Sequence, residues 1–151
     1  MVKKSQIIFM KGKEEALNRL FNGEQSVFGY LAVGYVANDN GFEDSLEEQD
    51  GSSNQYGFVE IDQSEISSYK RVPLQSMNET TYDESTGKVL VKFQATLSVD
   101  NIQTSQPINQ IAIVDTATPN DAGTKFYSAT TFQTFNKTAE SSITFVLGFR
   151  L

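Results

Sequence analysis

The acidic stretch NDNGFEDSLEEQD, which begins at Asn38, holds the residues of this 151-residue chain that are best suited to bind a metal ion. Set against the calcium-binding loop of an EF-hand, Asn38, Asn40 and Glu47 occupy the third, fifth and twelfth positions. Gly41 stands at the sixth position, but Val36 stands at the first, where an aspartate is needed. The sequence therefore predicts Asn38, Asn40 and Glu47 only as weak calcium ligands, and it favours the alternative of a solvated acidic loop.

Two further groups of acidic residues could in principle do chemistry. Glu60 and Asp62 share a parity in a predicted strand, which separates them by about 7 Å and suits the carboxylate pair of a glycosidase. Both are expected to face solvent, and the chain has no tryptophan to stack on a sugar ring, so we expect neither to be catalytic. Asp115, Asn120 and Asp121 lie in a predicted turn that could tolerate calcium, although an ordinary Asx turn is the favoured interpretation.

Composition excludes several classes of site and partner. The chain has no cysteine and no histidine, which removes disulfides, thiolate metal sites, thiol nucleophiles and the commonest general base. Its formal net charge of -7 opposes binding to nucleic acid and to anionic membranes. We therefore expect a protein that is not an enzyme and that has no cofactor, no nucleic-acid partner and no membrane partner.

Hydrophobic periodicity predicts one domain over residues 1–151, with an all-β, mostly antiparallel β-sandwich of about six or seven strands and one short N-terminal α-helix. The segment KGKEEALNRLFNG predicts the helix at about residues 11–22. The residues expected on its apolar face are Ala16, Leu17, Leu20 and Phe21. No segment has the length of a secretion signal or a membrane span, so synthesis in the cytoplasm of the host cell is expected.

The strands are predicted from apolar runs and from alternation. Residues 27–36 are apolar on both parities, which indicates a strand at the centre of the sheet. Residues 38–54 are predicted as a long polar loop, and residues 56–61 as a strand. Residues 89–99 alternate almost perfectly, as in a half-buried antiparallel strand. The remaining predicted strands are residues 108–115, 126–135 and 143–151.

The chain carries a period-two apolar pattern to its last residue. Ile143, Phe145, Leu147, Phe149 and Leu151 share one parity, which predicts a strand with one face in the core. We expect this strand to lie inside the sheet, paired on both edges or packed beneath another sheet, and to form a hairpin with the strand before it through the short turn NKTAESS.

Several segments together carry a family resemblance: FGYLAVGY, RVPLQ, VKFQATL, PINQIAIVD, FYSATTFQTFNKT and SSITFVLGFRL, preceded by the helical segment. In this order the chain resembles small β-rich virion proteins of tailed bacteriophages. The resemblance covers most of the chain in pieces, and the loop at residues 38–54 is longer than the family pattern. It implies a structural role in the tail, the baseplate, fibre attachment or head decoration, and it brings no catalytic residues.

Two functions follow as expectations. The first is a bacteriophage structural protein located in the virion, which binds other virion proteins and can form a homo-oligomer. The alternative is a β-sandwich module that binds carbohydrate or calcium, as the Asn- and Asp-rich loops would allow.

Overall fold

The computed structural model describes residues 3–22, 29–38, 41–51 and 57–150, and the chain has the predicted all-β, mostly antiparallel fold with an N-terminal α-helix. In chain order the elements are β1 (Lys3–Lys4), β2 (Gln6–Ile8), α1 (Met10–Asn22), β3 (Gly29–Gly34), β4 (Phe42–Glu43), a 3₁₀ helix (Asp44–Glu48), β5 (Val72–Asp83), β6 (Lys88–Leu97), β7 (Gln106–Val114), β8 (Phe126–Lys137) and β9 (Ile143–Arg150).

Seven strands form one nearly closed sheet in the order β2-β8-β7-β3-β5-β6-β9, and β1 pairs with β4 in a separate two-stranded sheet. The central position of β3 confirms the prediction made from its two apolar parities. The long strand β5 pairs with β3 through Val72–Leu74 and with β6 through Gln75–Asp83, and the register with β6 shifts between Ser76 and Thr80. It thereby joins the two halves of the sheet, whose inner faces pack on each other.

Apolar side chains fill both faces of the half of the sheet that contains β3. Leu31 and Val33 point into the larger cluster between the two halves, and Ala32 points to the opposite side. On that opposite side Phe42 and the 3₁₀-helix residue Leu46 cover the sheet. The prediction of a plain solvated loop over residues 38–54 is therefore wrong for its described part, which supplies a second apolar layer.

The N-terminal segment packs on β8. Ile7 and Phe9 are fully buried, and β2 extends the sheet as a strand that the sequence pattern did not predict. Helix α1 matches its predicted range and buries Ala16. Leu17, in contrast, is 39% exposed, so its assignment to the buried face is wrong. The side chains of Leu20 and Phe21 lie outside the described part of the chain.

Helix α1 lies close to β8 at Gly12. A methyl group added at Gly12 would lie 2.1 Å from the carbonyl oxygen of Tyr127 in β8, well inside van der Waals contact. Glycine at this position therefore lets the helix backbone approach the strand closely.

Strand β9 is a core strand, but at the edge of the sheet. Eight consecutive residues pair with β6, and Leu147 and Phe149 are buried as predicted, while Leu151 lies outside the described residues. Of the two predicted arrangements, pairing on both edges is wrong, because β6 is the neighbour of β9 in the sheet and no described strand flanks its other side. Packing beneath the other half of the sheet is confirmed, since Leu147 and Phe149 share a core cluster with Leu31 and Val33 of β3. The predicted hairpin is also wrong: β8 pairs with β7 and β2. The two strands instead meet through side chains, with the rings of Phe132 and Phe145 centred 5.8 Å apart.

Candidate functional site

The predicted calcium ligands are not gathered into a site by the described residues. Asn38 is exposed, and Asn40 lies outside the described residues. The Glu47 carboxylate accepts a hydrogen bond from Nζ of Lys4 at 3.0 Å. Within residues 3–22, 29–38, 41–51 and 57–150, no group of three or more acidic side chains is placed to hold a metal ion. Calcium binding by this loop stays a prediction.

Glu60 and Asp62 have different environments. Asp62 is exposed as predicted, and its Oδ1 accepts hydrogen bonds from the backbone N and the hydroxyl of Ser64, which lower the pKa of the carboxyl. The Glu60 side chain is only 10% exposed, so the prediction that it faces solvent is wrong. The predicted strand at residues 56–61 is also not a regular strand, since its described part makes a single bridge, from Glu60 to Gly34 at the end of β3.

The carboxylate of Glu60 forms a bidentate ion pair with Arg71. Nε of Arg71 donates to Oε2 at 2.8 Å and Nη2 donates to Oε1 at 2.8 Å. The Arg71 side chain is 2% exposed, so water screens the pair very little. Parallel N–H bonds to both oxygens are the strongest geometry available to such a pair. The two residues are therefore held in one orientation.

Tyr69 joins the pair to the central strand. Its hydroxyl donates a short hydrogen bond to Oε2 of Glu60 and accepts one from the backbone N of Val33 at 3.1 Å. Burial, reinforced by the negative charge of Glu60, raises the pKa of Tyr69 well above its ordinary value. At neutral pH this phenol is a fixed hydrogen-bond donor.

The remaining face of the Arg71 guanidinium is satisfied by two threonines. Nη1 donates to the carbonyl oxygen and the hydroxyl of Thr116, at 3.0 and 2.9 Å, and to the hydroxyl of Thr124 at 3.1 Å. Burial alone would lower the pKa of Arg71, but the hydrogen bonds and charge of Glu60 outweigh it and raise this pKa overall. Arg71 therefore stays protonated and does not supply a titratable group.

Asn120 closes the network from the turn before β8. Its backbone N donates to Oε1 of Glu60 at 2.9 Å, and its side-chain amide donates to the carbonyl of Ile61 at 3.1 Å. Its backbone has a φ of 61°, a left-handed conformation that asparagine tolerates better than most residues. The neighbouring Asp121 accepts from the backbone N of Gly123 at 2.9 Å, as in the Asx turn favoured above.

A surface pocket of about 490 Å³ lies above this network. Its walls include Phe58, Val59 and Phe126, and the rings of Phe58 and Phe126 meet edge to face at 5.9 Å. Glu60 and Arg71 also line it, together with Asn120, Asp121 and Thr124. Because Glu60 and Arg71 already bond to one another, a ligand would compete with these internal hydrogen bonds to contact them. The Glu60–Arg71 ion pair therefore gives this part of the pocket lining a fixed geometry.

The free edge of β9 is the second candidate site. The strand is eight residues long, and its outer face exposes Thr144, Val146 and Arg150, with Val146 56% exposed. In an antiparallel pair, every second residue of a strand directs its backbone N–H and C=O toward the paired strand. The residues in between direct their N–H and C=O groups to the opposite side. The edge therefore offers backbone donors and acceptors in the spacing that another extended strand requires.

Sequence reasoning missed the network around Arg71, although it named Glu60 for another reason. The available signal was the lone arginine directly before the apolar start of β5, with a tyrosine two positions earlier. Among the described residues, no helix combines the length and apolar character needed to cross a membrane.

Comparisons of the sequence with protein-family models and with curated proteins, and of the fold with solved structures, find no match.

Proposed function

We propose that this protein is a structural component of a tailed-bacteriophage particle, which acts by binding other virion proteins. The observation that carries the proposal is the free edge of β9, a long strand whose outer side has no strand partner among the described residues. Edge strands of this kind bind a further extended chain by main-chain hydrogen bonds, a common mode of protein recognition. Function would then reside in the surface and not in a cleft.

The resemblance to phage virion proteins supports the same function. Its strand-like segments, quoted above from the sequence, contain most or part of each of β3, β5, β6, β7, β8 and β9. These six strands are neighbours in one sheet, although their order in the sheet differs from their order in the chain. The resemblance therefore concerns most of the sheet and not one short motif. The tail, the baseplate, fibre attachment and head decoration are all compatible with such a framework.

The buried network gives a second line of support. Glu60, Tyr69 and Arg71 bond to one another and to neighbouring backbone groups, and the described part of the chain holds no buried side-chain nitrogen or oxygen without a partner. Groups used in this way fix the geometry of the fold and are not held ready for a substrate. A rigid framework is the property that a component of a large assembly needs.

The test is incorporation into particles. The gene is replaced by wild-type or variant copies in a producing strain, and gradient-purified particles are probed with an antiserum to the protein. We expect the wild-type protein to migrate with the particles and Val146→Lys to remain with the free protein, because a lysine on an edge strand blocks pairing. Val59→Lys is the matched control, since Val59 is 53% exposed and lies away from β9. Wild-type protein found only outside the particles would refute the proposal.

A further inference from the structure

The edge of β9 lacks the features that usually protect an edge strand. Its pairing with β6 runs through eight residues without a bulge, and the strand contains no proline and no lysine. Its inward-facing residues are apolar, and its single charged residue, Arg150, is at its end. Natural sheets generally blunt free edges with one or more of these devices, so an edge without them indicates a pairing surface.

The opposite edge of the sheet is treated differently. Strand β2 has only three residues, and Ser5 directly before it accepts a hydrogen bond from the backbone N of Thr131 at 2.8 Å. Helix α1 follows β2 at once and packs closely on β8 at Gly12. The first edge is therefore a strand of only three residues, whereas β9 is an eight-residue edge strand with no described strand on its outer side.

We propose that the occupant of this edge is the β9 strand of a second copy of the chain, paired antiparallel about a two-fold axis. The proposal deepens the proposed function, because it assigns a partner to the same edge. Opposed residues of an antiparallel pair share a face of the sheet, so a symmetric β9 pair must centre on a single residue.

Charge selects the register. Between Thr138 and Arg150 the chain has only two charged residues, Glu140 and Arg150. A two-fold axis at Phe145 brings Arg150 beside Glu140 of the partner subunit, in the turn that leads into its β9, and the symmetry forms this pair twice. Both side chains are exposed, and opposite charges that face each other across such a pair attract.

The same register also matches the other side chains. It places Val146 opposite Thr144 of the partner subunit, which joins two β-branched residues on the outer face. On the inner face it brings the half-buried Phe145 against the partner subunit's Phe145, so each ring covers the exposed part of the other. Each chain carries a net charge of -7, and this edge lets two copies meet without opposing acidic side chains.

The experiment is a charge swap, with the oligomeric state of the full chain measured by sedimentation equilibrium over a range of concentrations. Wild-type protein is expected to form a dimer. Arg150→Glu should raise the dimer dissociation constant about tenfold, because two attractive pairs become repulsive. Combining it with Glu140→Arg should restore the wild-type constant. Lys125→Glu, which makes the same change in charge at an exposed residue outside β9, should leave the constant unchanged.

Two results would overturn the self-pairing. One is a wild-type protein that is monomeric at every concentration, and the other is a double swap that dimerises no better than Arg150→Glu alone. Particle incorporation is scored separately: a monomeric protein that still enters particles, and loses this ability with Val146→Lys, would refute self-pairing and leave the proposed function in place. A dimer that never enters particles would refute the proposed function and leave the self-pairing in place.

Discussion

Replacing Glu60 by alanine should destabilise the protein strongly. The change leaves Arg71 without its counter-ion and removes the acceptor for Tyr69 and for the backbone N of Asn120. Removing one member of a buried ion pair costs about 3–5 kcal/mol, because an uncompensated charge stays buried. With the two side chains 2% and 10% exposed, solvent screening does not reduce this figure much. The loss is a large share of the roughly 5–15 kcal/mol by which ordinary domains are stable.

The assay is urea unfolding followed by circular dichroism at neutral pH, with Asp62→Ala as the matched control. Asp62 is an exposed carboxylate two positions away, and its replacement should change the free energy of unfolding far less. A double-mutant cycle with Arg71→Met should give a coupling energy of at least about 2 kcal/mol. Equal losses for Glu60→Ala and Asp62→Ala, or a coupling energy near zero, would refute the assigned role of the pair.

Three further predictions concern packing and titration. Gly12→Ala should lower the free energy of unfolding by about 1–3 kcal/mol, since its methyl group meets a backbone carbonyl, whereas Gly123→Ala, whose nearest neighbour is 3.5 Å away, should cost far less. Asp83→Asn should make the free energy of unfolding fall less steeply in acid. Hydrogen bonds from Ser85 lower the pKa of Asp83 below its ordinary value of 3.8. The stability that this carboxylate adds is therefore present above pH 3.8 and is lost as the pH falls through the lowered pKa. In a denaturation series at decreasing pH, an unchanged acid limb would contradict this. Tyr69→Phe should leave the tyrosinate absorbance of the folded protein unchanged just above pH 10.0, because the raised pKa keeps Tyr69 protonated there. A lower absorbance in the variant than in the wild type would contradict this.

The strands were predictable where one face is apolar. Strand β6 alternates between buried and exposed residues as its sequence does, and β9 buries Leu147 and Phe149 and exposes Val146. This pattern specifies which face of a strand is buried, because side chains alternate across the sheet. It does not specify the neighbouring strand, since the backbone groups that pair are the same in every strand. The short turn favoured β8 as the partner of β9, and the fold pairs β9 with β6.

In segments that mix polar and apolar residues, the sequence pattern does not predict which side chains are buried. Phe42 is 2% exposed although acidic residues surround it in sequence, because the short strand and the 3₁₀ helix direct single apolar side chains onto the back of the central sheet. Glu60 and Arg71 each resemble a solvent-exposed residue when taken alone. Their burial depends on a contact between residues eleven positions apart, and no local pattern encodes that contact.

Truncation of β9 could not test the proposed interface separately from the core. Leu147 and Phe149 are buried, so removing them takes away core packing worth about 1.5–3 kcal/mol for each side chain, and the protein would fail to assemble because it fails to fold. Val146 and Arg150 project from the outer face of the same strand, and changing them leaves the core intact. Only variants of this outer face test the proposed interface without disturbing the core, because the inner face of β9 packs in the core.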